Sequence, residues 1–268
     1  MSEPVKPLIH FAHANGIPSA VYRKMLDQLK DEYDVVTLPV IGTDPRYPVS
    51  NHWTLLVEQL IASIETQSQG RKVIALGHSL GSLLSLMAAY KRPDLMTQVI
   101  MLDPPLIAGL PSLAIHLAKI FRPDYIDKVT PAGLSAKRRD HWDSREQASQ
   151  SLRPRGLFAD FDQDCFDDYI RYGLQDDPQG GVTLTIPKSV EVAVFRNNPS
   201  MFWLKPRRPP AIPAHLVAGA QSQFYARGFP QRIKRQMGIP YSLQEGGHMF
   251  PLEHPLEVAA TVKRLILQ

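Results

Sequence analysis

Apolar residues in the first hundred positions alternate between short continuous runs and stretches with helical spacing. Continuous apolar runs predict buried strands at residues 7–12, 35–38, 72–76 and 98–102. Between the second and third runs, six apolar residues recur every three or four positions and predict one face of an amphipathic helix: Trp53, Leu56, Val57, Leu60, Ile61 and Ile64. Regular alternation of strands and helices is typical of a parallel sheet with helices on both faces.

This alternation breaks after the fourth strand and resumes about one hundred residues later. Thirteen of the 24 prolines stand in the interrupted part, which predicts irregular structure there. Further strands are then predicted at residues 215–218 and 241–244. We therefore predict a core of residues 1–104 and 209–268 and a mainly helical cap of residues 105–208. The cap is expected over the carboxyl ends of the strands, where ligands bind in open α/β sheets.

A serine flanked by glycines follows the third predicted strand directly, and an apolar helix follows the serine. In Gly77-His78-Ser79-Leu80-Gly81, the glycines remove side chains that would clash at a very sharp turn between strand and helix. Such a turn lifts the Ser79 hydroxyl off the sheet and directs the Leu80 amide to the place where an oxyanion would form. The pattern therefore predicts a nucleophilic serine; a glycine-rich turn with a structural serine is the alternative.

A histidine near the end of the chain is the candidate base for this serine. His248 follows Gly246-Gly247, between the last predicted strand and the last predicted helix. The two glycines allow a loop that brings the imidazole back over the sheet edge, and the chain order, with the nucleophile first and the histidine last, suits this kind of triad. The alternative is a loop histidine without a role, and His254 is better suited to cap the final helix.

Three short motifs resemble those of the α/β-hydrolase family, in particular its small bacterial members with a helical cap. They lie at residues 13–16, 77–81 and 247–248, and the resemblance covers both flanks of the chain, about 160 residues. It implies the α/β-hydrolase fold, with a mostly parallel sheet, a serine nucleophile and an oxyanion hole made by two backbone amides. One of these amides would be that of Leu80.

The resemblance places the second oxyanion amide in the loop after the first strand. Here His13-Ala14-Asn15 replaces the commoner His-Gly-x of the family. The amide of Asn15 is the predicted donor, and the amide of Ala14 is the alternative. His13 itself is expected to be a buried histidine that bonds to this loop rather than a catalytic group.

The acid of the predicted triad departs from the usual pattern of the family. The resemblance implies a G-x-x-D sequence after the penultimate strand, but Ser222 stands where the aspartate is expected and no carboxylate lies nearby. Some members carry the acid one strand earlier, and here Asp103 ends the strand that follows the nucleophile helix. Asp103 is therefore the predicted acid. The alternative is an aspartate that only caps the turn at Pro104.

The predicted cap supplies the remaining candidate contacts with a substrate. Residues 106–121 are apolar and predict a lid helix over Ser79; a membrane-surface role is the alternative, although the basic face it needs is nearly absent. Phe202 and Trp203 are the predicted apolar wall of the substrate site. The acidic run at residues 160–168 predicts a solvated helix start, with metal binding as the alternative.

Composition excludes several other classes of protein. The 268 residues carry a net charge of +4 and scattered basic residues, which does not indicate a nucleic-acid-binding face. Cys165 is the single cysteine, so an intrachain disulfide is impossible. The sequence shows no pattern of a membrane span, a phosphate loop, a dinucleotide fingerprint or zinc spacing, and its first residues lead us to expect no signal peptide. We therefore predict a cytoplasmic protein with no cofactor and no metal, and we leave its oligomeric state open.

Together these features predict a serine hydrolase, most simply a carboxylesterase that cleaves small to medium ester substrates through an acyl-enzyme. Other acyl transfer, C–C bond hydrolysis and cofactor-free perhydrolysis use the same triad and remain alternatives. A binding module on a decayed hydrolase scaffold is the non-enzymatic alternative, and Ser222 at the usual acid position is its main support.

Overall fold

The computed structural model describes residues 5–107, 109–200 and 208–267. Six strands form a parallel sheet in the order β2-β1-β3-β4-β8-β9. The nine strands in the described ranges are β1 (Leu8–Ala12), β2 (Asp34–Leu38), β3 (Val73–His78), β4 (Met96–Leu102), β5 (His141–Trp142), β6 (Leu174–Asp176), β7 (Val182–Leu184), β8 (Ala214–Gly219) and β9 (Tyr241–Gln244). The parallel sheet predicted from the strand–helix alternation is confirmed.

Helices cover both faces of this sheet. The described α-helices are α1 (Arg23–Asp27), α2 (Thr54–Ser68), α3 (Leu80–Lys91), α4 (Leu110–Phe121), α5 (Pro123–Val129), α6 (Ala132–Lys137), α7 (Arg145–Leu152), α8 (Gln163–Tyr172), α9 (Lys188–Arg196), α10 (Gln223–Ala226), α11 (Phe229–Met237), α12 (Phe250–Glu253) and α13 (Pro255–Ile266). One apolar layer joins the sheet to α2, α3 and α11, and the opposite layer joins it to α1 and α13. Within the described ranges, no helix combines the length and apolarity needed to cross a bilayer.

Between β4 and β8 the described residues form six α-helices, α4 to α9, and a small antiparallel sheet. The strands of this sheet lie in the order β5-β7-β6 and cover their own apolar cluster around Trp142. This sheet was not predicted, because strands of two or three residues are too short for an alternating pattern to be detected. Phe158 and Tyr169 of this region belong to the same apolar layer as Tyr22 of the core, so the inserted region is packed firmly against the core.

Candidate active site

The residues of the candidate site follow the carboxyl ends of four strands. Ser79 follows β3, Asp103 follows β4, Ser222 lies three residues beyond β8 and His248 lies four residues beyond β9. Because β3, β4, β8 and β9 are consecutive and parallel in the sheet, these ends meet at one edge.

The turn at Ser79 is tight enough to require both of its glycines. Ser79 is the only residue between β3 and α3, and it has φ 52° and ψ −111°, a conformation that side chains rarely adopt. A Cβ at Gly77 would lie 2.4 Å from the carbonyl carbon of Gly81, and a Cβ at Gly81 would lie 2.1 Å from the carbonyl oxygen of Ala12. The strained turn can therefore form only because Gly77 and Gly81 carry no side chain that would collide with the neighbouring backbone.

The structure places the His248 ring within hydrogen-bonding distance of both Ser79 and Asp103. The Nε2 atom of His248 lies 3.0 Å from Ser79 Oγ, and its Nδ1 atom lies 2.7 Å from Asp103 Oδ2. Since the ionised carboxylate only accepts, His248 carries its proton on Nδ1, which leaves Nε2 free to accept the serine proton. By contrast, the His254 side chain makes no capping hydrogen bond at the start of α13.

The carboxylate of Asp103 is buried but surrounded by donors. Only 1% of the residue is exposed, and the amide of Gly219 donates to Oδ1 over 3.1 Å. The hydroxyl of Ser222 lies 2.5 Å from Oδ2. Ser222 Oγ also accepts the amide of Phe224, so its single proton is directed to Asp103. The residue at the usual acid position thus supports a carboxylate that comes from the neighbouring strand.

Two backbone amides of the loop after β1 differ in whether they already form a hydrogen bond within the described residues. The amide of Ala14 donates to the hydroxyl of Tyr22 over 3.3 Å. Within the described residues, no hydrogen bond forms from the amides of Asn15 and Leu80. Both amides therefore remain available as donors to a ligand, and the availability of Asn15 distinguishes it from Ala14.

This loop is also attached to the inserted region through Glu191 of α9. The Asn15 side chain donates to the Glu191 carbonyl oxygen over 3.0 Å, and a Cβ at Gly16 would lie 3.1 Å from Glu191 Oε2. The Glu191 carboxylate accepts hydrogen bonds from Ser135 over 2.6 Å and from Arg138 over 2.7 Å. Sequence reasoning missed this contact, because Asn15 and Glu191 are 176 residues apart.

We expect Glu191→Gln to lower the free energy of unfolding by about 2 kcal/mol, because it leaves the partly buried Arg138 guanidinium without its counter-charge. Chemical denaturation measures this loss. The matched control is Asp127→Asn, which breaks the more exposed ion pair with Arg196 at the end of the same helix and should cost less than about 1 kcal/mol. Equal losses in the two variants would contradict a special role for Glu191.

Three buried histidines belong to β1, to the loop after it and to the end of β3. Burial lowers the pKa of His13 to about 4, and its ring accepts the amide of Ile41 at Nε2 and donates from Nδ1 to the Ala14 carbonyl. His13 thus binds to the loop, as expected from the sequence. Burial likewise lowers the pKa of His10 to about 4 and lowers the pKa of His78 well below its ordinary value.

The predicted apolar wall of Phe202 and Trp203 lies outside the described residues. Phe224 is a neighbour of the base that sequence reasoning missed: its ring stands edge-on to His248, with 5.1 Å between ring centroids.

In the acidic run, Asp162 caps α8 and binds Lys24, in keeping with a helix start. Among the residues that the structure describes, no group of three or more metal-binding side chains is found.

A parallel sheet with a serine on a sharp strand–helix turn defines the hydrolase class of α/β proteins. A sequence model of the family described as "Alpha/beta hydrolase family" matches residues 11–261, so the chain belongs to that family.

Several characterised proteins are similar at low identity. The lipase LipV of Mycobacterium tuberculosis is 25% identical over 81% of this chain and 78% of its own length. The type I acyl-CoA thioesterase mpaH of Penicillium roqueforti is 25% identical over 62% of this chain, which spans only 40% of the length of that relative. Among solved structures, E-2-(acetamidomethylene)succinate hydrolase superposes with a TM-score of 0.75 at 18% identity, covering 98% of this chain and 92% of the other.

Proposed function

We propose that the protein is a serine hydrolase, most simply a carboxylesterase that acts on small to medium esters. The observation that carries this proposal is the unbroken chain of hydrogen-bonding distances from Ser79 through His248 to Asp103. The same chain argues against a decayed scaffold, since Ser222 at the usual acid position donates to Asp103 instead of leaving the histidine unsupported.

In the proposed acylation, Ser79 Oγ attacks the ester carbonyl carbon while His248 Nε2 takes the hydroxyl proton. Asp103 holds the Nδ1–H tautomer and stabilises the imidazolium that forms. The amides of Leu80 and Asn15 donate to the oxyanion, and each is worth about 3 kcal/mol in such sites. Collapse of the tetrahedral intermediate breaks the bond to the alcohol, which leaves with the proton from His248.

Deacylation follows the same route with water as the nucleophile. His248 takes a proton from the water, the hydroxide attacks the acyl carbon, and the proton returns to Ser79 Oγ as the acid is released. A serine nucleophile argues against epoxide or haloalkane hydrolysis, which in this fold uses a carboxylate at the same turn. Thioester hydrolysis by this triad is the second candidate, favoured by the similarity to an acyl-CoA thioesterase.

A fluorophosphonate probe tests the proposal without knowledge of the natural substrate. We expect one covalent adduct, mapped to Ser79 by peptide mass spectrometry and absent from the Ser79→Ala variant and from denatured protein. A panel of matched p-nitrophenyl esters and thioesters, with and without peroxide, then separates the esterase from its alternatives. A folded protein that shows no adduct would overturn the proposed function.

A further inference from the structure

Beneath the candidate triad, two buried side chains link the base to the loop after β1. His78 and Tyr22 are both fully buried. The Tyr22 hydroxyl lies 2.7 Å from His78 Nδ1, and His78 Nε2 lies 2.8 Å from the carbonyl oxygen of His248. At the other end, the Ala14 amide reaches the Tyr22 hydroxyl over 3.3 Å.

The direction of every hydrogen bond in this chain is determined by its end groups. The carbonyl oxygen of His248 can only accept, so His78 carries a proton on Nε2. Burial lowers the pKa of His78 well below its ordinary value, so the ring is neutral and Nδ1 is an acceptor. Tyr22, whose pKa burial raises, must then donate its hydroxyl proton to Nδ1 and accept the Ala14 amide. Every polar side-chain atom of Tyr22 and His78 therefore has a hydrogen-bond partner.

These hydrogen bonds join three parts of the site whose relative positions matter for the proposed mechanism: the nucleophile, the base and the oxyanion loop. His78 is covalently bonded to Ser79, its Nε2–H holds the backbone of His248, and Tyr22 holds the loop that carries Asn15. We propose that His78 and Tyr22 are positioning residues, which fix the base and the oxyanion loop relative to the nucleophile. This inference rests on the proposed function of the site.

The neutral state of His78 is part of the same role. Its ring centroid lies 5.2 Å from that of His248, which must become positively charged during the proposed reaction. A second positive charge at that distance inside the protein would oppose formation of the imidazolium. Tyr22 and Phe250 pack around the His78 ring and keep it away from water, which explains why a histidine can stand there without competing for the proton.

Two amide substitutions at residue 78 separate the two ends of the chain. In His78→Gln, the amide nitrogen occupies the position of Nε2 and can still donate to His248. In His78→Asn, the shorter amide can accept from Tyr22 but does not reach His248. We expect kcat for p-nitrophenyl acetate to stay within about 3-fold of wild type for His78→Gln and to fall about 10- to 100-fold for His78→Asn, with KM nearly unchanged in both. A general packing role would affect both variants alike.

Histidine ¹⁵N NMR of the wild-type protein provides a readout independent of activity. We expect a neutral His78 protonated at Nε2 between about pH 5.5 and 8, with Nδ1 becoming a free acceptor in Tyr22→Phe. Tyr22→Phe is the second test variant if a residue 78 variant does not fold cooperatively. It should lower kcat and leave KM nearly unchanged. A charged or Nδ1-protonated His78, or equal kcat in the Gln and Asn variants, would overturn the inference. Wild-type protein that the fluorophosphonate fails to label would instead overturn the proposed function, and the positioning role with it.

Discussion

Replacing Asp103 by Asn is expected to lower kcat for ester hydrolysis by about 10³- to 10⁴-fold. The reason is the set of donors around this side chain: His248 Nδ1, the Ser222 hydroxyl and the Gly219 amide all point at its two oxygens. An amide group offers them only one oxygen and favours the wrong tautomer of His248. Steady-state kinetics with p-nitrophenyl acetate measures the loss, and cooperative thermal unfolding confirms that the variant is folded.

The position of Ser222 gives this prediction a sharper form. Ser222→Asp alone should lower kcat, because a second carboxylate would be buried against Asp103. In the Asp103→Asn background, the same substitution should raise kcat, by about 10-fold or more, since it supplies a new carboxylate beside His248. Ser222→Ala is the matched control and should cost less than about 10-fold, the loss of one hydrogen bond to the acid.

These variants can show the proposed assignment to be wrong. If Asp103→Asn retains the wild-type kcat, Asp103 is only a strand-end aspartate that supports the turn at Pro104. If Ser222→Asp changes kcat in the same direction in both backgrounds, the two side chains do not share one role beside His248.

Acidification is expected to destabilise the protein strongly between about pH 6.5 and pH 4. Burial lowers the pKa of His10 and His13 to about 4, whereas both titrate near 6.5 in the unfolded chain. The unfolded state therefore binds more protons in this interval, so stability is fully present above about pH 6.5 and falls as the pH approaches 4. Each of the two residues contributes about 3 kcal/mol to this loss. Burial shifts the pKa of His78 in the same direction and adds to the effect.

Urea denaturation at a series of pH values measures this dependence. His10→Gln keeps a polar contact with Ser63 and removes one titrating ring, so it should reduce the slope of stability against pH. The control is Ser63→Ala, which removes the contact with His10 but leaves the buried ring in place, so it should keep most of the slope. A free energy of unfolding that stays constant from pH 7 to 4.5 would show that these rings are not held neutral in the folded protein.

The sequence by itself determined the parallel sheet and the position of the serine turn. Both are local signals: buried strands appear as continuous apolar runs, and the helix at residues 53–64 shows a period of about 3.6. The turn at Ser79 could be predicted because its geometry demands glycine at fixed neighbouring positions, and the structure shows why at Gly77 and Gly81. The glycine loop before His248 and the chain order singled out the base, and the resemblance to known hydrolases then singled out Asp103 as the acid.

Only the tertiary structure decided which side chains meet at the sheet edge. Asp103 and Ser222 are 119 residues apart and come together because β4 and β8 are neighbours in the sheet, an order that no local period records. The contacts of Tyr22 with His78 and of Asn15 with Glu191 likewise join distant segments through single hydrogen bonds. Apolar periodicity is repeated over many residues and can be recognised in the sequence. A buried polar contact depends on one pair of atoms, and folding alone brings that pair together.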